Sequence, residues 1–389
     1  MHSPLRVLVG SLSAGVLPSA VGAEPPQGTL LLDLGPDHPS RAGLLELHLW
    51  TSGTTITSAE VVVGAMHRGA EKLFEVRDYR QILMLADRHD WQAPFAGELG
   101  VALTCERMLG LEVPERATWL RTLLAEHTRI LSHLGFLAYV PFRLGRQNTT
   151  SAVRELLRTR TQELTGNRIH PMANRLGGLA VDARPSWLDA ELRTVAEVVA
   201  VAEDLLTMIG SQPFADAATG VAQLDRSAIE AYGVSGPAAR ASDVPLDLRR
   251  TQPYLSYPHL QPLLITPDPA GSGDAQSRFA QLAYEVLSSA RLVTACADRL
   301  RELSGPVAVR LGKIVKLPEG ETYLATESPL GMAGFFLVSR GEKTPWRLKL
   351  RTASFNQVAA LEALLPGVAV GQLETTLASM GYVVGDIDK

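Results

Sequence analysis

Several groups of titratable side chains stand close enough together in this chain to move protons. Arg121, Glu126, His127, Arg129 and His133 interrupt the otherwise apolar run RATWLRTLLAEHTRILSHLGFL (116–137). Glu126 and Arg129 are three apart and Arg129 and His133 four apart, so on a helix they share charge along one face. Asp37 and His38 lie in the turn Gly35-Pro36-Asp37-His38-Pro39. Asp87-Arg88-His89-Asp90 runs into Trp91, His67-Arg68 precedes Gly69, and His170 stands between Ile169 and Pro171. Histidine changes charge near neutral pH, and its surroundings move that point either way. Each group also has a plain structural alternative. These are a turn histidine bonded to its own backbone at 38, a strand end at 67–68, a solvated helix face over 88–90 and a satisfied core histidine at 170. Arg249-Arg250 followed by Tyr254 and Tyr257 are residue types enriched at protein interfaces, and a surface loop fits them almost as well.

The elements that must position these groups are legible from apolar spacing. Ala117, Leu120, Leu123, Leu124, Ile130, Leu131, Leu134 and Leu137 recur at three- and four-residue steps, the repeat of one helical face. Pro114 precedes the run, where a missing N–H costs a starting helix little. Its titratable residues are then either the solvated edge of a core helix or ionisable groups that a buried helix carries toward a site. Residues 29–34, 44–50 and 54–63 read as strands. Further helices are predicted over 79–91, 93–109, 152–164, 187–208 (capped by Ser186) and 276–303, with an ordered loop over 237–262. Strands follow over 334–339 and 346–351 around a Gly341-Glu342-Lys343 turn, then helix over 355–365 and 368–380. The sum is a mainly α fold with small β elements (α+β). It divides into an N-terminal extension (1–28), a β segment (29–64), a helical-bundle body (65–312) and a C-terminal α+β segment (313–389).

Composition excludes several functions. The 389 residues are 46% hydrophobic, enough for a large core, and a formal charge of -4 gives no general reason to bind nucleic acid. Cys105 and Cys296 form no CxxC pair, so the chain supplies no obvious metal or iron–sulfur ligand set. No phosphate-binding glycine loop, dinucleotide fingerprint or nucleophile elbow is present. Residues 7–25 imitate a signal peptide, but Ser11, Gly15 and Pro18 break the apolar part, and an extension or short strand is expected instead. No run of about 20 apolar residues follows, so a membrane role must come through partners.

Six stretches carry a resemblance: GPDHPSRAGLLEL (35–47), HRGAEKLFE (67–75), the 105–137 segment, GNRIHPMANRLGG (166–178), LRRTQPY (248–254) and ESPLGMAGFFLVS (327–339). In order, from about Leu30 to Lys389, they resemble the D-type, 49-kDa subunit of bacterial NADH–quinone oxidoreductase, complex I. That family descends from the large subunit of nickel–iron hydrogenases. The cysteine pairs that hold nickel there are missing here, which removes hydrogenase activity. The resemblance implies a peripheral subunit on the cytoplasmic side of the cell membrane that binds no cofactor alone. It implies B-, C-, I- and H-type partners, with quinone as substrate and the terminal iron–sulfur cluster on the B-type partner.

Carried over by residue, the resemblance places His38, Asp90, Trp91, Ala42 and Val383 at the quinone pocket, and Arg88, His170 and Arg68 toward the cluster. It also marks departures. Ala42 replaces the second histidine of the family's GPxHPxxHG turn, Trp91 the tyrosine of DRxDY, and Arg143 an aspartate that partners the lost histidine. Gly381 and Lys389 stand where the family has aspartate and arginine, and Leu330 and Met332 where it usually has a basic residue and a glutamate. Those lost His, Tyr and Asp side chains act as one proton relay, so two other roles stand beside quinone reduction: a scaffold without quinone chemistry, or use of another small acceptor. The helical register predicts that Leu124→Asp costs several kcal/mol. Urea denaturation of the purified variant checks it, and a folded, fully stable variant would refute the register.

Overall fold

Alternation along residues 45–52 buries Leu45, Leu47 and Leu49 on one face, and that strand organises an N-terminal sheet. The structure is a computed structural model that describes residues 4–10, 28–265 and 271–389. β1 (Leu5–Val9), β2 (Thr29–Leu32), β3 (Leu45–Ser52) and β4 (Thr55–Val62) lie in the order β2-β1-β3-β4. β1 runs parallel to β2 and antiparallel to β3, with Val7 opposite both Leu30 and Leu47. The sheet thus starts inside the stretch expected as an N-terminal extension, and Val7, Leu8 and Val9 there are buried. Residues 11–27, which carry most of the signal-like stretch, lie outside the described residues. Chain from the far end covers the outer edge of β4: Ile56 N–H donates to Val368, and Gly367 N–H to Ile56. This covers the start of that edge against edge-to-edge pairing.

The body consists chiefly of the helices Pro94–Leu109, Glu115–Leu137, Thr150–Thr165, Pro185–Ile209 and Ala275–Glu302. The Glu115–Leu137 helix lies in the middle, along Ala275–Glu302 and against Thr150–Thr165. Its apolar stripe is buried apart from half-buried Leu131, and so are Arg121, Glu126, His127, Arg129 and His133. The solvated edge does not exist; this is a buried helix loaded with ionisable groups. Other boundaries also differ from the spacing. The Tyr79–Ala86 helix starts on a capping box between Asp78 and Gln81 but stops well short of Trp91. Beyond the helix, Asp90 turns its carboxylate onto the N–H groups of Gln92 and Ala93, ahead of the Pro94–Leu109 helix. The helix after Arg184 begins on Pro185 rather than on a Ser186 cap. Short helices Gly236–Arg240 and Leu248–Thr251 occupy the expected loop.

A two-stranded ribbon, β5 (Asn174–Arg175) and β6 (Gly178–Leu179), closes one end of the body. β7 (Gly320–Ser328), β8 (Gly331–Ser339) and β9 (Arg347–Arg351) then form an antiparallel sheet in chain order. It packs on the Pro94–Leu109 helix so closely that a Cβ on Gly100 would lie 2.0 Å from the Phe335 ring. Phe335, Leu348, Phe74, Tyr79 and Ile82 make a second core there. The chain ends in short helices, the last of them Leu373–Met380 and Val384–Ile387. Among the described residues no helix is long and apolar enough to cross a membrane.

Buried charge ties the body together. Glu126 accepts from Tyr257 Oη at 2.5 Å and Ser289 Oγ at 2.6 Å, and pairs with Arg249 at 3.2 Å and Arg129 at 3.3 Å. Burial pushes its carboxyl up, but the two guanidiniums outweigh this and hold it below the usual range. Arg249 and Tyr257, expected at an interface or in a surface loop, therefore point inward. Arg121 forks onto Glu106 and also donates to the Arg175 and Gly178 carbonyls. His127 meets Glu191 at 2.6 Å, and His133 meets Glu285 at 3.2 Å. Removing one partner of such a set strands the others in low dielectric. Glu126→Ala is expected to cost about 3–5 kcal/mol. Arg226→Ala, in the exposed Arg226–Glu230 pair, should cost no more than about 0.5 kcal/mol. Urea titrations of the purified chain check both.

Candidate functional site

Two groups of candidate residues converge on the turn that follows the Tyr79–Ala86 helix. The outer group gathers on Asp87, whose carboxylate is fully buried. Arg88 Nε lies 2.7 Å from one of its oxygens and His170 Nδ1 lies 3.5 Å from the other. Arg68 reaches over from the loop after β4 and donates to the Arg88 carbonyl at 2.8 Å. Arg88 also touches the sulfur of Met172, a residue held at φ 46°. Arg68 and Arg88 are exposed and His170 is half-buried, with Ile169 and His67 exposed beside them. A buried acid thus anchors an outward-facing basic edge. Behind it, burial raises Glu98 to about 7, even though it accepts the Asn174 N–H at 2.9 Å.

The inner group is assembled by the C-terminal residues. Asp388 accepts the N–H groups of Gly64 and Met66, both at 2.8 Å. Asp386 meets His89 Nδ1 at 2.8 Å, and its second oxygen accepts the Ser354 N–H. A Cβ on Gly385 would lie 2.1 Å from the Trp91 ring, and one on Gly43 would lie 2.5 Å from Val384. These glycines let the turn carrying His38 and Ala42, the turn carrying Asp90 and Trp91, and the segment after Val383 press together. Ala42 is exposed, Trp91 half-buried, and Asp90 and Val383 buried. Among the described residues, Trp91 Nε1 is buried with no hydrogen-bond partner, as are His89 Nε2 and the Tyr382 hydroxyl. Arg143 stays exposed, where its charge reaches Glu374.

His38 faces inward. It caps the short turn 39–42 and its Nδ1 takes the Ser40 N–H at 3.2 Å, with Ser40 Oγ at 2.8 Å. Its ring stands edge-on to Phe136 at 5.5 Å. That is the geometry of a turn histidine bonded to its own segment. His89 and Asp90, for their part, are buried rather than lying on a solvated helix face.

Spacing did not reveal the other partners. Glu285 joins His133 and Arg240, Glu327 joins Arg240 and the Leu248 N–H, and Asp247 holds Arg249. Four carboxylates (Glu126, Asp247, Glu285, Glu327) there meet three guanidiniums (Arg129, Arg240, Arg249). Burial leaves Glu327 with a raised pKa, whereas Glu285 lies well below its usual range, because Arg240 and His133 outweigh its burial. A cavity of about 80 Å³ lined by Arg240, Asp247, Arg249, Gln281 and Glu285 opens beside this cluster.

Burial pulls His38 down to about 4, whereas an unfolded histidine titrates near about 6.5. The folded chain then refuses a proton that the unfolded chain accepts. This contribution is full above about pH 6.5 and is lost as pH falls toward 4, up to on the order of 3 kcal/mol. The stability advantage of wild type over His38→Gln should therefore shrink across that window and stay level above it. Denaturant titrations at a series of pH values measure the difference.

Comparison with known proteins places this arrangement. The model of a family described as respiratory-chain NADH dehydrogenase, 49 Kd subunit, matches residues 147–316 and 310–389. A D-type NADH-quinone oxidoreductase subunit of Salinispora tropica is 50% identical over 95% of this chain and 96% of its own length. The D-type NADH-quinone oxidoreductase subunit of Carboxydothermus hydrogenoformans is 32% identical over 92% of this chain and 98% of its own. A chain in the structure of the membrane-bound sulfane sulfur reductase, an archaeal respiratory membrane complex, superposes with a TM-score of 0.82 at 29% identity. The match covers 89% of this chain and 94% of that one. The chain belongs to the 49-kDa subunit family of the respiratory-chain NADH dehydrogenase.

Proposed function

We propose that this chain is a peripheral-arm subunit of a proton-translocating, complex-I-like NADH–quinone oxidoreductase, built on a hydrogenase large-subunit-like frame. It helps form the quinone-reduction site beside a terminal iron–sulfur cluster held by a B-type partner. C-, I- and H-type partners complete the assembly on the cytoplasmic side of the membrane. The observation that carries this is the basic edge of Arg68, Arg88 and His170 on buried Asp87, next to the Trp91–Gly385 contact. Exposed guanidinium beside a partner's redox centre favours its reduced, more negative state. The unpartnered Trp91 N–H supplies a donor to a carbonyl oxygen, although indole yields no proton as a phenol can.

A scaffold without quinone chemistry is the second reading, favoured by exposed Ala42 and Arg143 and by the turn-bound His38. Use of another small acceptor is supported by the likeness to a chain in a sulfane sulfur reductase complex. Purifying the assembled complex and assaying inhibitor-sensitive quinone reduction separates the readings. Wild type is expected to be active, and the double variant Ala42→His, Trp91→Tyr about tenfold or more faster. An inactive wild type that the double variant switches on would instead establish the scaffold.

A further inference from the structure

The turn that departs from the family at Trp91 holds a compact acid–base group. His89 Nδ1 and Asp386 Oδ1 are 2.8 Å apart, both side chains buried, although the residues are 297 positions apart in the chain. Asp90, also buried, uses one oxygen to accept the Gln92 and Ala93 N–H groups at 3.0 and 3.1 Å. That leaves its other oxygen to carry a proton. The Trp91 ring lies on Gly385, next in sequence to Asp386 as Trp91 is to Asp90, and His89 Nε2 is buried without a partner among the described residues.

We propose that Asp90, with the His89–Asp386 pair beside it, is the proton source of this chain's altered site, in place of the relay that Ala42, Trp91 and Arg143 interrupt. The inference rests on the quinone reading above. A quinone carbonyl oxygen seated against Trp91 takes an electron from the partner-held cluster and the proton of the Asp90 carboxyl. The acid O–H bond breaks, an O–H bond forms on the quinone, and the carboxylate regains a proton from solvent by way of His89. A second electron from the cluster and a second proton, taken from solvent at the distal carbonyl oxygen, complete the quinol.

The charges around Asp90 fit this role. Burial raises its carboxyl, the Asp386 charge raises it further and His89 opposes them, leaving it at about 7. Asp386 itself is held low, since the His89 contact and the Ser354 hydrogen bonds outweigh its burial. Facing the group from other elements are Arg351 on β9, which feels Asp386, and Lys389, which feels Asp386, Asp388, Glu71 and Lys349. Asp87 and Arg88 precede it in the chain.

Infrared difference spectra of the assembled complex across a pH series test the proposal, together with the pH profile of quinone reduction. A protonated-carboxyl band that titrates near pH 7 should lose its Asp90 component in Asp90→Asn, leaving only that of Glu98, and the lost component should share its midpoint with the alkaline loss of activity. Asp386→Asn removes a like charge and should move both midpoints down by about one pH unit. His89→Gln should move both up, and serves alone if the Asp386 variant does not assemble. A quinone-active complex that lacks the Asp90 component, or whose alkaline limb ignores both variants, overturns the proton source and leaves the quinone reading standing. An Asp90 component that titrates in a complex with no quinone reduction overturns the transfer step and the quinone reading together.

Discussion

A carboxylate at the centre of the helical body dictates much of what surrounds it. Glu126 sits on a helix with no exposed face, so its charge must be answered by protein alone. The answer comes from four other residues: Arg129 one turn along, Arg249 on the Leu248–Thr251 helix, Tyr257 in the turn after it, and Ser289 from the last long helix. Each then needs partners of its own. Arg249 takes Asp247, and Arg129 donates to the Glu327 and Ser328 carbonyls at the end of β7. The C-terminal sheet is thereby tied to the middle of the bundle through hydrogen bonds to charged groups, the stronger class. Apolar residues of similar volume would often serve stability as well. What the charges add is register, since a helix rotated by one residue would bury Glu126 against leucine.

The candidate site depends on a second set of tertiary contacts, made by the last few residues. Val384, Gly385, Asp386 and Asp388 touch three N-terminal segments: the turn at 43, the turn carrying His89 and Trp91, and the loop after β4. Ile56 and Val368 reinforce the same closure at the sheet edge. Residues distant in sequence meet only because the chain's end folds back over its beginning. Such a site forms late in any ordering of contacts by sequence separation, after the local helices exist.

Long helices were legible in the sequence, because an apolar period of three and four survives whatever packs against it. The helix end at Ala86 was not, nor was the turn beyond it, in which Asp90 accepts backbone N–H groups. Nor was β1's place in the sheet, whose parallel partner at 29–32 leaves no local turn signal. Arg249 and Tyr257 misled for a physical reason. A buried network and a protein interface both desolvate arginine and tyrosine, so composition alone does not distinguish them. The outer site residues Arg68, Arg88 and His170 were named through family resemblance, and the structure brings those three together. The His89–Asp386 pair had no signal at all, because no spacing rule links residues at opposite ends of a chain.

The two halves of the site differ in what they require of their surroundings. On the proposed reading the basic edge would act by charge at an exposed surface anchored by one buried acid. The inner half would act, on the same reading, by proton affinity, which burial sets and which any neighbouring charge can move by a unit or more. Replacing histidine by alanine at 42 and aspartate by arginine at 143 would disable a relay built from those groups. The same fold still buries Asp90 beside Asp386 and His89. Low dielectric is supplied by the C-terminal segment rather than by any one catalytic side chain. On the proposed reading, the groups that handle protons can therefore differ while the frame still buries an acid there.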